Sequence, residues 1–441
     1  MVEAEQCGLR YRAPMSERHR FDANATKVVP DTHSHLESKF SRLYRTPLGV
    51  WATRCDLDAP EVKSWDTIMT SKQLLGPRLP AYQSGCVTGI IPAILGPSGT
   101  KEIPSWMPSC VQGARQVVLL VIDGLGWHQL QKNIVHCPTI SSMQGSSITT
   151  IAPTTTVSAL TSITTGLAPA EHGLVGYRID MGGRVMQMLK WGDDKGDLRN
   201  MYPPDLIQPC PPFMGTSVPV LSKAELEGSA FTEAHLRGVR PKGWRAASSI
   251  AVEIGELLRS GEKFIYAYYD GVDKIAHERG FGAFYEAELR STDALVSNIR
   301  DVLVSGSVLL VTADHGQVMV GTNTLPPNAD VLAMTAYQSG EGRFRWLHAR
   351  KGTEVELLAR AQQHHGDSAW VVSKDQVIDE QWLGPRLGAA TRKRLGDVAL
   401  VPREPISFDD PADSGPYMLQ CRHGALTDDE LDVPLLAVTG N

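Results

Sequence analysis

The chain has 441 residues, 42% hydrophobic and 21% charged, a balance that excludes disorder for most of its length. Its 43 basic and 49 acidic side chains leave a net charge of -6, so no whole-chain basic footprint marks a stable nucleic-acid partner. The seven cysteines are scattered without CxxC spacing, the first residues carry no apolar leader core, and no apolar run approaches the roughly 18 to 20 residues of a membrane span; a cytoplasmic protein without a membrane partner is expected.

Residues 1–110 are polar and punctuated by proline, apart from the apolar piece GCVTGIIPAILG, and read as an extension packed on the body of the protein. Within them DTHSH, Asp31 to His35, reads as a loop or strand end rather than as a ligand set. The body, 111–440, starts with QVVLLVIDG, a continuous apolar run that stops at Asp123 and Gly124. A run apolar on both faces is the pattern of a central strand in a parallel sheet. KFIYAYYDG, ending at Asp270, SVLLVTADHG, reaching Asp314, and VPLLAVTG near residue 440 repeat it. Helical patterns lie between, the plainest at 246–260 and 283–304. Strands alternating with helices argue an α/β sandwich with a central, mostly parallel sheet flanked by helices, its site beyond the C-terminal ends of the strands. Residues 178–245, rich in Gly, Pro and Met, read as a cap or lid, and 320–420 as an insertion before the last strand.

The strand ends carry the chemistry. Asp123 follows the first run, where Asp-Gly is also an ordinary turn. Asp314 and His315 sit together just past the third run, where the chain leaves the pleat and both side chains can reach one ion. Asp273 and His277 are spaced i,i+4, which on a helical turn brings their Cβ atoms within about 6 Å. Asp270 competes with Asp273 as a ligand, and only Asp273 has that relation to His277. His423, in CRHGALTDDE, comes just before the last run. Imidazoles mixed with carboxylates suit Zn²⁺, or a neighbouring ion such as Mn²⁺, better than the all-oxygen shells of Ca²⁺ and Mg²⁺.

Before the pattern VSALTSITTG stands APTTT. The apolar stretch reads as a short helix closed by a C-terminal glycine at Gly166, which puts Thr156 at its N-terminus, where free amides and the macrodipole favour an anion. An N-cap role accounts for a threonine there equally well, and Thr154 and Thr155 remain rivals for a chemical one.

Together these residues resemble the alkaline phosphatase superfamily, in particular its type I phosphodiesterase and nucleotide pyrophosphatase branch. VVLLVIDGLG with Asp123, PTTTVSALTSITTGLAPAEHG with Thr156, DKIAH with Asp273 and His277, ADHG with Asp314 and His315, and the late HG of His423 occur in the family order, over residues 116–320 and 421–440. The resemblance implies two divalent metal ions, most suitably Zn²⁺. Asp273, His277 and His423 would hold one; Asp123, Asp314 and His315 the other, with Thr156 as nucleophile and ligand. It implies hydrolysis of a small phosphodiester or nucleotide-like substrate through a covalent phosphothreonine. A phosphomonoesterase or phosphotransferase of the same superfamily is the second reading, and a non-enzymatic metal- or phosphate-binding protein the alternative of another class. Relatives carry an asparagine donor where Ala159 stands, which leaves Arg178, Lys190 or a lid residue to replace it; His172 reads as structural. Oligomeric state is left open.

Overall fold

The computed structural model describes residues 76–413 and 418–440; the DTHSH segment, Cys7, Cys55 and most of 1–110 lie outside them. Seven strands form the main sheet: β1 (Gln116–Ile122), β2 (Gln144–Thr149), β3 (Pro219–Lys223), β4 (Arg240–Trp244), β5 (Phe264–Tyr269), β6 (Ser307–Thr312) and β7 (Asp432–Thr439). Their order across the sheet is β2-β7-β6-β1-β5-β3-β4. The three central strands are buried along almost their whole length, as unbroken runs of Val, Leu, Ile and Tyr require when both faces of a sheet are covered. β1 pairs in parallel with β6 on one side and β5 on the other, Val117 facing Val308 and Phe264.

β7 is the exception. It runs antiparallel to β6, with Leu435 opposite Thr312, and antiparallel to β2 on its other side. Its beginning therefore lies at the edge where the parallel strands end, and the loop that leads into it arrives at that same edge.

All four strands expected from sequence lie in this sheet. Three further strands do not announce themselves. β2 (QGSSIT) has three exposed residues at its start. β4 (RPKGW) is exposed at four of its five positions, at the sheet's rim, where Pro and Lys discourage pairing with another chain. β3 is a five-residue strand between β4 and the central β5. Since β3 and β4 belong to residues 178–245, that segment divides: its first part folds into a small antiparallel sheet, Arg178–Asp180, Val185–Gln187, Gly192–Asp193 and Gly196–Asp197, and its second part extends the main sheet.

The helices that matter for the site are α1 (Thr156–Thr165), α2 (Ser248–Arg259), α3 (Gly271–Arg279) and α4 (Ala283–Asp301). α1 begins directly after an extended Thr155 and ends at Gly166 with φ 72°, the left-handed conformation that glycine adopts without strain. Within 320–420 a separate four-stranded antiparallel sheet, ordered Thr335–Glu341, Phe344–Ala349, Val398–Pro402, Ala369–Ser373, packs with helix Glu354–His365 around Leu347, Leu357, Val371 and Leu400. The piece GCVTGIIPAILG buries Cys86, Val87, Ile90 and Ile91 in the main core. No helix among the described residues is long and apolar enough to cross a membrane.

Candidate metal centre

Every candidate ligand comes from the C-terminal edge of the main sheet. Asp123 follows β1, Asp314 and His315 follow β6, Asp273 and His277 occupy α3 just after β5, and His423 stands on the loop before β7. Asp123, Asp314 and His315 offer ligand atoms all within 4.8 Å of one another, and so do Asp273, His315 and His423. His277 Nε2 is 3.3 Å from Asp273 Oδ1, the contact expected from the i,i+4 spacing on α3. His315 thus stands where the two groups meet, its ring stacked on that of His423 with centroids 3.6 Å apart.

The main chain aims each imidazole. The Nδ1 of His277 lies 2.7 Å from the carbonyl of Cys421, that of His423 2.8 Å from the carbonyl of Thr154, and that of His315 3.1 Å from the carbonyl of Gly316. Each Nδ1–H therefore donates to a backbone oxygen, which leaves each Nε2 as a lone pair directed at the cluster, the tautomer and orientation a metal needs. The carboxylates are held in the same manner on one side only. Asp314 Oδ1 accepts from the amides of Gly124 and His315, both at 3.0 Å, Asp123 Oδ2 accepts from the Tyr268 hydroxyl, and Asp273 Oδ1 accepts from Gln317 Nε2 at 3.0 Å. The opposite oxygens, Asp123 Oδ1 and Asp314 Oδ2, are enclosed and have no hydrogen-bond partner.

Orphaned carboxylate oxygens at this density are costly without a cation. Burial and the neighbouring carboxylates of Asp314 and Asp273 push the Asp123 carboxyl well above its ordinary range; burial also raises Asp273 and Asp314. Burial lowers His315, and lowers His423 further with the help of the two other imidazoles. The bare cluster is short of positive charge that its own side chains are disfavoured from supplying. The donor set, three carboxylates and two imidazoles in two groups that share His315, with His277 beside Asp273, fits two divalent ions.

Gly124 permits the packing. Its φ is 72°, and a Cβ there would stand 2.3 Å from Gln317 Nε2 and 3.0 Å from the Cα of Asp273. A side chain at this turn would drive α3 and the first strand end apart.

The three threonines separate cleanly. Thr154 Oγ1 donates to the Ala425 carbonyl and accepts from the Gly424 amide, so it fastens the loop that carries His423. Thr155 is the N-cap residue of α1, but its side chain makes no cap bond and is hydrogen-bonded to Glu341 instead. Thr156 opens the helix, and its Oγ1 lies 3.1 Å from His315 Nε2. With Nδ1 of His315 protonated, the hydroxyl is the donor in that contact.

Other sequence candidates are drawn elsewhere. Asp270 is bound by Lys223 at 2.7 Å and Lys274 at 2.5 Å. Ala159 is wholly enclosed in the core, so a longer side chain there would face packing and not substrate. Arg178 is committed to Asp410, and Lys190 borders a different hollow. His172 is buried, 2.9 Å from Ser162 Oγ, accepting from the Leu174 amide, its pKa lowered by burial to about 3. Sequence reasoning missed Tyr268 and Gln317, although the first lies two residues before Asp270 and the second three after Asp314.

Thr156 and Asp273 border two cavities. One, about 680 Å³, is walled by Glu341, Asp409, Asp413 and Arg422 as well as Thr155 and His423. The other, about 250 Å³, is walled largely by Leu160, Leu189, Phe231, Leu236 and Tyr266.

A family model described as type I phosphodiesterase / nucleotide pyrophosphatase matches residues 117–426. Among solved structures the chain is similar to murine ectonucleotide pyrophosphatase / phosphodiesterase 5, with 15% identity over 74% of this chain and 88% of that one and a TM-score of 0.56. An inactive threonine-to-alanine variant of that protein in complex with AMP matches with 14% identity over the same shares and a TM-score of 0.56. Phosphonoacetate hydrolase from Sinorhizobium meliloti 1021, in complex with phosphonoacetate, matches with 15% identity over 75% of this chain and 91% of that one and a TM-score of 0.55. No curated protein sequence matches the chain. At these identities the structures establish a shared fold.

Proposed function

Because the chain belongs to the type I phosphodiesterase / nucleotide pyrophosphatase family, we propose that it hydrolyses small phosphodiesters or nucleotide-like pyrophosphates through a covalent phosphothreonine at Thr156. One observation carries this reading: the Thr156 hydroxyl, at the open N-terminus of a ten-residue helix, stands 3.1 Å from the imidazole shared by both ligand groups.

Asp273, His277 and His423 would hold one divalent ion, and Asp123, Asp314 and His315 the other, with Thr156 Oγ1 beside it; Zn²⁺ suits the nitrogen-rich set best. Such ions, when bound, lower the pKa of a coordinated hydroxyl and offset charge on phosphoryl oxygens. The residues supply the rest. Thr156 Oγ1, fixed by the helix start, gives its proton to solvent and attacks phosphorus as the bond to the leaving oxygen breaks with its electron pair, and that oxygen takes a proton from solvent. The positive end of α1 faces the equatorial oxygens as charge develops on them. Water then displaces Thr156 from phosphorus, which returns the hydroxyl and makes the overall reaction a hydrolysis. The murine neighbour described as inactive lacks a threonine of its own, in agreement with a threonine nucleophile.

Charge favours a diester. Two divalent ions, three aspartates and an ionised Thr156 sum to zero, so a substrate dianion would need a further cation close by. Arg178, Arg184 and Lys274 are tied to Asp410, Asp193 and Asp270, which leaves Arg422, among the described residues, as the cation of the larger cavity without an ion pair.

Turnover of bis-p-nitrophenyl phosphate and p-nitrophenyl phosphate by wild type and Thr156→Ala tests the reading. The diester is expected to be preferred, and the variant to lose at least about 10³-fold of that activity. Undiminished turnover by the variant overturns the assignment of the nucleophile.

A further inference from the structure

The larger cavity contains one cation besides the histidines, Arg422, and it is oddly placed. Arg422 directly precedes the candidate ligand His423, on the short strand Cys421–Arg422 that pairs with Val318–Met319. Its Nε is fully enclosed and has no hydrogen-bond partner, and among the described residues its guanidinium makes no ion pair.

The nearby arginines differ in having acid partners, although the Nε of Arg345 is likewise without a hydrogen bond. Arg343 grips Glu430 with Nε at 2.7 Å and Nη2 at 2.8 Å. Arg345 donates to the Phe408 carbonyl and lies 3.7 Å from Asp410 and 3.5 Å from Asp413. Arg178 is spent on Asp410. A guanidinium that lines a cavity without an acid partner is a donor that an anionic ligand oxygen meets with a charge-assisted bond.

We propose that Arg422 binds a single anionic group of the substrate, a carboxylate or a phosphate, carried on the arm that leaves or remains on the side of the larger cavity. This rests on the hydrolase reading above and adds a substrate class to it.

The other charged walls set how much charge is admitted. Glu341 is 7% exposed, its Oε1 has no partner, and burial raises its carboxyl to about 8, so near pH 7 it is mostly neutral and can donate a hydrogen bond. Asp413 is shared with Arg345. Asp409 and Asp413 line the same cavity and make no ion pair with Arg422. With Asp409 left over, the wall nearly balances Arg422. One negative group is accommodated and a polyphosphate arm is opposed. The smaller cavity, where Leu160, Leu189, Leu226, Phe231 and Leu236 form an apolar wall, takes the apolar arm.

Three synthetic diesters sharing the p-nitrophenyl group separate the cases: methyl, carboxymethyl and 2-phosphoethyl p-nitrophenyl phosphate. With wild type, kcat/KM for at least one anionic ester is expected to exceed that for the methyl ester about 10- to 100-fold. Whichever anionic ester gains identifies the group as carboxylate or phosphate. Arg422→Gln is expected to bring that ratio near one, chiefly through KM, and Arg422→Lys to restore part of it. A wild-type ratio near one overturns the proposal whether or not the variants fold, as does a preference that survives in Arg422→Gln. Failure of the hydrolase reading looks different: no Thr156-dependent turnover of any of the three esters.

Discussion

The edge of the main sheet and the second, four-stranded lobe solve the problem of buried charge in opposite ways. At the sheet edge the aspartates gather with like neighbours, and two of their oxygens are left without partners. Around the lobe, buried arginines are matched by acids, some of them from outside it: Arg343 grips Glu430 on the short helix before β7, both fully buried, and Arg345 of the lobe shares Asp410 with Arg178 of the small sheet. The first region is organised to hold a cation, and the second for rigidity. A buried charge cluster therefore points to a ligand only where the tally of partners fails to close.

The sharpest way to break this contrast is to remove a carboxylate that awaits a cation. Asp314→Asn keeps the shape and the hydrogen bond from Gly124, but removes a charge and a ligand. It is expected to reduce bound metal by about one equivalent, read by elemental analysis, and diester turnover by 10³-fold or more. Stability should change little or rise in the metal-free protein, because the like-charge repulsion is relieved. Full metal content with full activity would erase the distinction.

The lobe should respond in stability. Arg343→Met leaves Glu430 buried with only the Ala425 amide and the Thr427 hydroxyl as donors. A loss of about 3 to 5 kcal/mol is expected in urea unfolding. Since Glu430 also fixes the loop around Ala425 that carries His423, metal affinity should fall with it. Arg343→Met together with Glu430→Leu should recover much of the stability, as removing both partners of a buried pair does.

A smaller effect sharpens the boundary between ligands and their supports. Gln317→Ala removes the amide that holds Asp273 Oδ1 at 3.0 Å without touching the ligand set. Metal affinity, measured by competition with a chromophoric chelator, is expected to drop about 10- to 100-fold, with the number of ions bound at saturation unchanged.

What sequence alone revealed follows the same division. Asp123, Asp314 and His315 were legible because they punctuate apolar runs, and Asp273 with His277 because helical spacing is local. Thr156 was distinguishable from Thr154 and Thr155 only once the loop of His423 was in place, since Thr154 is engaged by Gly424 and Ala425, some 270 residues away. Strands β2 and β4 escaped notice because rim strands are half exposed and carry no apolar alternation. Arg422 and Glu341 gave no signal: a lone arginine beside a histidine and a glutamate at a strand end mean nothing until their unmet hydrogen bonds are seen in one cavity.

The reversed direction of β7 has a consequence for how the enzyme comes into being. The loop with His423 and the strand that anchors it are translated after every other ligand, and that strand inserts between β6 and β2, not at the rim. A nascent chain on the ribosome has its first six sheet strands already synthesised, yet holds two unpaired strand edges and an incomplete set of imidazoles. Chemistry at phosphorus thus waits for β7 to close the sheet between β6 and β2, so that the segment from His423 to Thr439 completes the fold and the site together.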